Sequence, residues 1–172
     1  ACGKAARFTP AVLAAMARVT ERPIVFALSN PTANAECTAE QAYAGTGGRA
    51  VFASGSPFAP VTWGTGVFAP GQANNSYIFP GVGQGLLLSG AKRATDEMFF
   101  AAAQALAAQV SQADLAVGRV FPKGARMREV AAAVAAAVAE VAYEQGHATR
   151  PRPVDLPAEA ARSMYQPEYA LS

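Results

Sequence analysis

The 172-residue chain is poor in the side chains that most often build disulfide scaffolds and metal sites, since it contains two cysteines and one histidine. Cys2 and Cys37 are too few to form a disulfide framework. Together with His147 they also supply too few ligands for a thiolate–imidazole metal site. This cysteine usage fits a reducing compartment, and we expect a cytoplasmic protein.

The chain also lacks a large excess of one charge and long apolar runs. The 14 basic and 12 acidic residues leave a formal charge of +2, far from the concentrated positive field that a phosphate backbone requires. No run reaches the roughly 18 uninterrupted apolar residues of a membrane-spanning helix, and the first twenty residues do not resemble a signal peptide. We therefore expect a soluble protein that binds neither nucleic acid nor a membrane.

What the chain does contain is a strand–helix–strand pattern. The run Ile24–Leu28 is apolar and β-favouring without alternation, as in a strand covered on both faces of a parallel sheet. Thr38 and Gln41 have the spacing of a capping box, and Gly45 is placed to end the helix that they begin. Residues 50–53 form the second strand. This pattern predicts a right-handed βαβ unit.

Helices dominate the rest of the predicted structure, apart from a long irregular stretch at residues 58–80 with one hairpin around Gly64–Gly66. A first helix is predicted from Phe8 to Val19, opened by Thr9 and Pro10. Later helices are predicted at about residues 83–93, 96–109 and 127–145. The fold class is therefore α/β, with a partial Rossmann-like parallel sheet followed by a mainly helical C-terminal region.

Polar residues directly follow both predicted strands, where ligands bind in open α/β sheets. Asn30 is the most informative of them, because a neutral amide can hold a carboxylate or a carboxamide without adding charge. An asparagine before proline also commonly makes only a turn, and that alternative stays open. The residues of this set are Ser29, Asn30, Thr32, Ser54 and Ser56.

Three other groups of residues allow both a functional and a structural interpretation. The pair Asn74 and Asn75 can bridge two parts of a ligand, or form a turn or a helix cap. The glycines of Gly81–Gly85 lack the spacing and context of a dinucleotide fingerprint, and close helix packing is favoured. The carboxylates near the candidate loops, including Glu36 and Glu40, are interpreted as solvated charges at helix ends.

Three long strings follow one another along the chain: Arg22–Thr32 (RPIVFALSNPT), Val51–Phe58 (VFASGSPF) and Pro70–Gly81 (PGQANNSYIFPG). In this order they resemble the malic enzymes. Shorter similarities at Ala35–Thr38, Thr95–Met98 and Tyr165–Tyr169 extend the resemblance over most of the chain. The opening residues 1–7 do not resemble the family where the preceding strand of its cofactor domain is expected.

The resemblance implies oxidation of malate by hydride transfer to NAD or NADP, followed by loss of carbon dioxide to give pyruvate, with magnesium or manganese as the metal. It implies that Asn30 and one of Asn74 and Asn75 hold malate beside the nicotinamide, with Ser29, Asn30 and Asn74 on the cofactor side. It also implies a homo-oligomer, a dimer or a tetramer, with the tail in subunit contacts.

The resemblance further divides the chain into the end of a Rossmann-like NAD(P)-binding domain (1–75), helices that return to the catalytic domain (76–147) and an extended tail (148–172). The family's tyrosine–lysine acid–base pair, its metal-binding carboxylates and its glycine-rich turn belong to sequence upstream of this chain. We therefore expect no catalytic residue and no metal ligand here, and no turnover of malate by this chain alone.

Two other functions compete with this one. The alanine-rich helix at 127–145 and the proline-rich tail are also typical of a non-catalytic oligomerisation domain. Alternatively, Asn30 and Asn75 could serve a small-ligand binding module without a redox role.

Overall fold

The structure is a computed structural model that describes residues 2–165, and it divides into two compact units. The first comprises the residues up to Asn74 together with Gln109–Lys123, and the second comprises Asn75–Ala108 together with the residues from Gly124 onward. The predicted domain boundaries at 75 and 147 did not anticipate that residues 109–123 belong to the first unit. The division of the chain into domains stays a prediction. The part of the predicted tail at 166–172 lies outside the described residues.

The elements follow one another in an order that places all the strands in the first unit. The first part of the chain contains α1 (Pro10–Val19), β1 (Ile24–Ala27), α2 (Ala39–Thr46), β2 (Val51–Ser54), β3 (Val61–Trp63), β4 (Gly66–Phe68) and β5 (Gly71–Gln72). The later part contains α3 (Phe79–Ser89), α4 (Asp96–Ala107), α5 (Gln112–Ala116), α6 (Met127–Glu144) and α7 (Leu156–Arg162).

The sheet of the first unit has the order β1–β2–β5, and all its strands are parallel. Ala27 lies opposite Ser54, and Ser54 lies opposite Gln72, so the three strands end at the same edge. The predicted α/β class and βαβ unit are confirmed. The predicted hairpin is also present, since β3 and β4 pair antiparallel across Gly64 and Thr65. The sequence analysis missed β5, because two residues containing a glycine carry no strand signal.

Helix α2 has the predicted start but a later end. The Thr38 side chain accepts from the backbone N–H of Gln41, and the Gln41 side chain accepts from the backbone N–H of Thr38, which is a complete capping box. The helix continues past Gly45 to Thr46. It ends there because Gly47 adopts a left-handed φ of 62°, a conformation that glycine adopts without steric cost.

The core of the first unit is centred on Tyr43 of α2. Its ring stacks on Phe68 with centroids 4.4 Å apart and meets Phe52 edge-on at 6.0 Å. Burial raises the pKa of the Tyr43 hydroxyl to about 12. Helix α1 packs closely on α2, since a Cβ at Gly45 would lie 2.7 Å from the Leu13 Cβ. The βαβ unit is thus covered on this face by an apolar layer.

Helix α3 begins earlier than predicted. The start was predicted at about residue 83, whereas the helix begins at Phe79, with Pro80 in its first turn. Proline is tolerated in the first turn, because the N–H that it lacks has no intrahelical partner there. The three glycines that follow therefore lie inside a helix and not in a phosphate-binding loop.

Two of these glycines allow α3 to pack directly on the backbone of α6, as the sequence analysis favoured. A Cβ at Gly81 would lie 2.6 Å from the Val134 Cβ, and a Cβ at Gly85 would lie 2.6 Å from the Ala135 carbonyl oxygen. Helix α6 is correspondingly buried along one face, and Val134 has no exposed surface. Within residues 2–165 no helix is both long enough and apolar enough to cross a membrane.

Gly85→Ala should lower the free energy of unfolding of the chain by about 1–3 kcal/mol, since the added methyl group overlaps α6. Gly83→Ala is the matched control in the same helix, because a Cβ there meets nothing within 4 Å. It should raise stability by up to about 1 kcal/mol through helix propensity. Denaturant unfolding of the three proteins measures both effects, and equal shifts for the two variants would contradict the packing described.

Candidate functional site

The loops that follow the three parallel strands are joined to one another at the carboxyl edge of the sheet. The backbone N–H of Gly55, after β2, donates to the Ala27 carbonyl of β1 at 2.9 Å. The backbone N–H of Ala73, after β5, donates to the Ser54 carbonyl of β2 at 2.8 Å. This edge is where ligands bind in open parallel sheets, so it is the candidate site.

Asn30 is exposed at this edge, and one side of its amide is occupied. The Ser56 hydroxyl donates to Asn30 Oδ1 at 2.8 Å. Within the described part of the chain the amide nitrogen of Asn30 has no hydrogen-bond partner. The side chain therefore has two N–H donors available to a ligand.

The loop after β2 is fixed from two sides and accommodates only a glycine at its centre. The buried Ser54 hydroxyl donates to the Ser56 carbonyl at 2.7 Å, and Gln72 Nε2 donates to the Gly55 carbonyl at 3.0 Å. A Cβ at Gly55 would lie 2.4 Å from the Leu28 carbonyl oxygen. The loops after β1 and β2 therefore approach more closely than any other residue would allow.

Ser29, a predicted cofactor-binding residue, is buried and its hydroxyl is used inside the protein. It donates to Glu36 Oε1 at 2.5 Å and accepts from the backbone N–H groups of Cys2 and Gly3 at 3.1 and 2.9 Å. The hydroxyl thus links the residue before Asn30 to the start of the chain. A cofactor contact of Ser29 stays a prediction.

Glu36 was interpreted from sequence as a solvated charge, and that interpretation is wrong. The side chain is 2% exposed, and its carboxylate accepts from the Ser29 backbone N–H at 3.1 Å and from the Cys2 backbone N–H at 3.0 Å, besides the Ser29 hydroxyl. These donors replace the water that a buried carboxylate loses. No local sequence pattern indicates them, because Cys2 lies 34 residues away along the chain.

The ionised form of Glu36 is strongly favoured. Burial raises the pKa of the carboxyl, but the hydrogen bonds donated by the Ser29 side chain and by backbone N–H groups outweigh it and lower the pKa from 4.5 to about 2. The pKa of the neighbouring Cys37 thiol shifts in the other direction. Burial and the nearby Glu36 charge raise the pKa of Cys37 to about 11. Cys37 is therefore an unreactive core residue.

The predicted asparagine pair is divided between the two compact units. Asn74 lies two residues beyond β5, at the same sheet edge as Asn30 and two strand spacings, or about 10 Å, from β1. Asn75 opens the 3-10 turn Asn75–Tyr77 of the second unit and lines a cavity of about 360 Å³ there, together with Phe79 and Phe99. The ligand roles of Asn74 and Asn75 stay predictions.

The polar groups at this edge fit the carboxamide of a nicotinamide. A carboxamide needs donors and acceptors in one plane, and the Asn30 amide and the polar loop beside it offer both. Among residues 2–165 there is no group of three or more His, Cys, Asp or Glu side chains arranged to hold a metal ion.

Comparison with known proteins shows the family of this chain. Residues 1–143 match the family of the malic enzyme NAD-binding domain. The chain therefore belongs to the malic enzyme family. The match includes residues 1–7. The expectation that these residues do not resemble the family is therefore wrong.

Malic enzymes of plants are similar to this chain over nearly all of its length. The NADP-dependent malic enzyme of Vitis vinifera is 54% identical over 168 residues, which cover 97% of this chain and 28% of the relative. The chloroplastic NADP-dependent malic enzyme of Zea mays is 53% identical over 163 residues, which cover 94% of this chain and 26% of the relative. The chain thus spans between a quarter and a third of the relatives that it matches.

The fold is also that of a solved malic enzyme. The crystal structure of the malic enzyme from Pyrococcus horikoshii matches 94% of this chain with a TM-score of 0.72 and 28% sequence identity, and the match covers 33% of that protein. The sheet and helices described here therefore belong to an arrangement that malic enzymes with divergent sequences share.

The expectation of a cytoplasmic location is wrong. Relatives such as the Zea mays enzyme are chloroplastic, so membership of this family does not imply the cytoplasm. The scarcity of cysteine excludes a disulfide scaffold, but it does not distinguish one reducing compartment from another.

The buried Glu36 network gives a stability prediction. Because the folded-state pKa is depressed, its stabilisation is present above about pH 4.5 and is lost as the pH falls towards about 2. Glu36→Gln should lower the free energy of unfolding at pH 7 by about 1–3 kcal/mol, since the Gln amide mismatches the donors.

Glu40→Gln, at an exposed position of the first turn of α2, is the control and should cost less than about 1 kcal/mol. Denaturant unfolding between pH 7 and pH 3 measures both variants. If Glu36→Gln retained the acid sensitivity of the parent chain, the network would not be the source of that sensitivity.

Proposed function

We propose that this chain forms the wall of a malic enzyme active site that holds malate against the nicotinamide of NAD(P). The observation that carries the proposal is the exposed Asn30 amide, whose oxygen accepts from Ser56 while its N–H donors have no partner in residues 2–165. These donors lie at the carboxyl edge of a parallel sheet, the place where such folds bind nucleotide cofactors.

The neutral amide suits the chemistry of a dicarboxylate substrate. Its N–H groups can each donate to a carboxylate oxygen without the strong charge pairing that would hold substrate and product equally tightly. When bound beside Asn30, the nicotinamide would supply the hydride acceptor for the hydroxyl-bearing carbon of malate. Asn30 contributes orientation, which affects the rate strongly when two reacting groups must meet at a fixed distance. Asn74 and Asn75, which follow β5, are proposed to complete the contacts to the same ligands.

The cofactor is proposed to be NADP, because the Vitis vinifera and Zea mays relatives are NADP-dependent enzymes. Magnesium or manganese is proposed as the metal only because the chain resembles the malic enzymes. Residues 2–165 contain no group of three or more His, Cys, Asp or Glu side chains placed to hold such an ion. The acid–base residues are likewise proposed to lie elsewhere in the enzyme.

A role in assembly is the second candidate function, and one observation favours it. Large apolar side chains of the second unit are exposed, among them Phe79 at 75% and Phe100 and Leu87 at 66% each. Exposed apolar side chains of this size are typical of interaction surfaces when they form one patch. We propose a dimer or tetramer, which light scattering of the complete enzyme would test, with a monomer as the contradicting result.

A chimera tests the catalytic proposal. Residues 1–172 would replace the matching segment of the Vitis vinifera enzyme, to which they are 54% identical. The chimera should convert malate to pyruvate with reduction of NADP, whereas the 172-residue chain alone should not. A folded but inactive chimera, or turnover by the isolated chain, would contradict the proposal that this chain holds the ligands while the acid–base residues lie elsewhere in the enzyme.

Asn30→Ala in the chimera should lower kcat/KM for malate about 10- to 100-fold, as expected for the loss of a hydrogen bond to a charged group. Asn30→Asp should be worse than Asn30→Ala, because a second negative charge would repel the substrate carboxylate. Steady-state kinetics with malate measure both variants. Unchanged kinetics in Asn30→Ala would show that the amide does not contact the substrate.

A further inference from the structure

The contact between Ser56 and Asn30 has a chemical direction. The hydroxyl of Ser56 donates to Asn30 Oδ1 at 2.8 Å. An amide whose oxygen already accepts a hydrogen bond keeps its two N–H groups for other partners. The pair therefore leaves both N–H donors of Asn30 for the space beside it.

Ser56 can impose this direction because its own backbone is held. Its carbonyl accepts from the hydroxyl of Ser54, which has no exposed surface, at 2.7 Å. The carbonyl of Gly55 accepts from Gln72 Nε2 at 3.0 Å, which ties the same loop to β5. The backbone that carries the Ser56 hydroxyl is thus fixed, and the exposed Asn30 side chain is hydrogen-bonded to it.

We infer that Ser56 is a positioning residue that holds the oxygen of the Asn30 amide and thereby leaves its two N–H groups for a ligand group that accepts hydrogen bonds. A carboxylate or carboxamide oxygen is such a group. Without the Ser56 hydroxyl, the described residues supply no hydrogen bond to the amide oxygen, so the side chain would be free to turn about its Cβ–Cγ bond and present the oxygen instead. This inference rests on the proposed function, since it concerns the same site.

The first test uses the chimera described above. Ser56→Ala should lower kcat/KM for malate about three- to tenfold, the value of one neutral hydrogen bond. Most of the loss should appear as a higher KM, because the misoriented amide weakens the hold on the substrate carboxylate. Ser56→Thr, which keeps a hydroxyl, should recover most of the activity.

A matched control exists in the second unit. There the hydroxyl of Ser163 accepts from Gln84 Nε2 at 2.7 Å, which is also an exposed serine–amide pair. Ser163→Ala removes the same group and should leave the kinetics for malate unchanged. Should Ser56→Ala fail to fold, Ser56→Cys keeps the side-chain volume with a weaker donor and should give an intermediate loss. Wild-type kinetics in a folded Ser56→Cys variant would overturn the inference.

A double-mutant cycle separates this inference from the proposed function. If Ser56 acts only through the Asn30 amide, Ser56→Ala should cause no further loss in an Asn30→Ala background. An equal loss in both backgrounds would overturn the positioning role while leaving the role of Asn30 intact. Wild-type kinetics in Asn30→Ala itself would instead overturn the proposed function.

Discussion

Parallel pairing of β1, β2 and β5 is the constraint on which the candidate site depends. Because the strands run in the same direction and end in register at Ala27, Ser54 and Gln72, the polar residues that follow them meet at one edge. The backbone hydrogen bonds between consecutive loops maintain this arrangement. Asn30 and Ser56 are 26 residues apart in sequence and meet only through this pairing.

Two buried polar groups then fix the loop that carries Asn30. Glu36 and Ser29 tie its start to the first residues of the described chain, and Ser54 orients the loop that carries Ser56. The cost of burying these groups is offset by the hydrogen bonds that they make. The Asn30 side chain that is proposed to contact the ligand is exposed, whereas Ser29, Glu36 and Ser54, which fix the two loops, are buried. Such a division allows a neutral amide to be held rigidly without being removed from solvent.

Local sequence patterns predict the elements of this fold but not its polar network. The capping box of Thr38 and Gln41 and the apolar run of β1 are local signals, and they correctly predict the start of α2 and the presence of β1. The predicted burial of β1 on both faces is wrong, because its burial alternates and Ile24 is 63% exposed. The burial of Glu36 depends on donors that are distant in sequence, so it could not be predicted. Strand β5 and helix α5 were missed because two and five residues are too short for a periodic signal. Asn30 could be proposed from its position after a strand, but the hydrogen bond that holds its amide oxygen depends on Ser56, which is 26 residues away in sequence.

The most direct test of the role of this sheet edge is a crystal structure of the active enzyme that carries this sequence, with NADP and a non-reacting dicarboxylate analogue of malate. The amide nitrogen of Asn30 should lie within about 3.2 Å of an oxygen of the analogue or of the nicotinamide carboxamide. The Ser56 hydroxyl should still donate its hydrogen bond to the amide oxygen of Asn30. An Asn30 side chain that contacts neither ligand would contradict the assignment of this edge as the binding site.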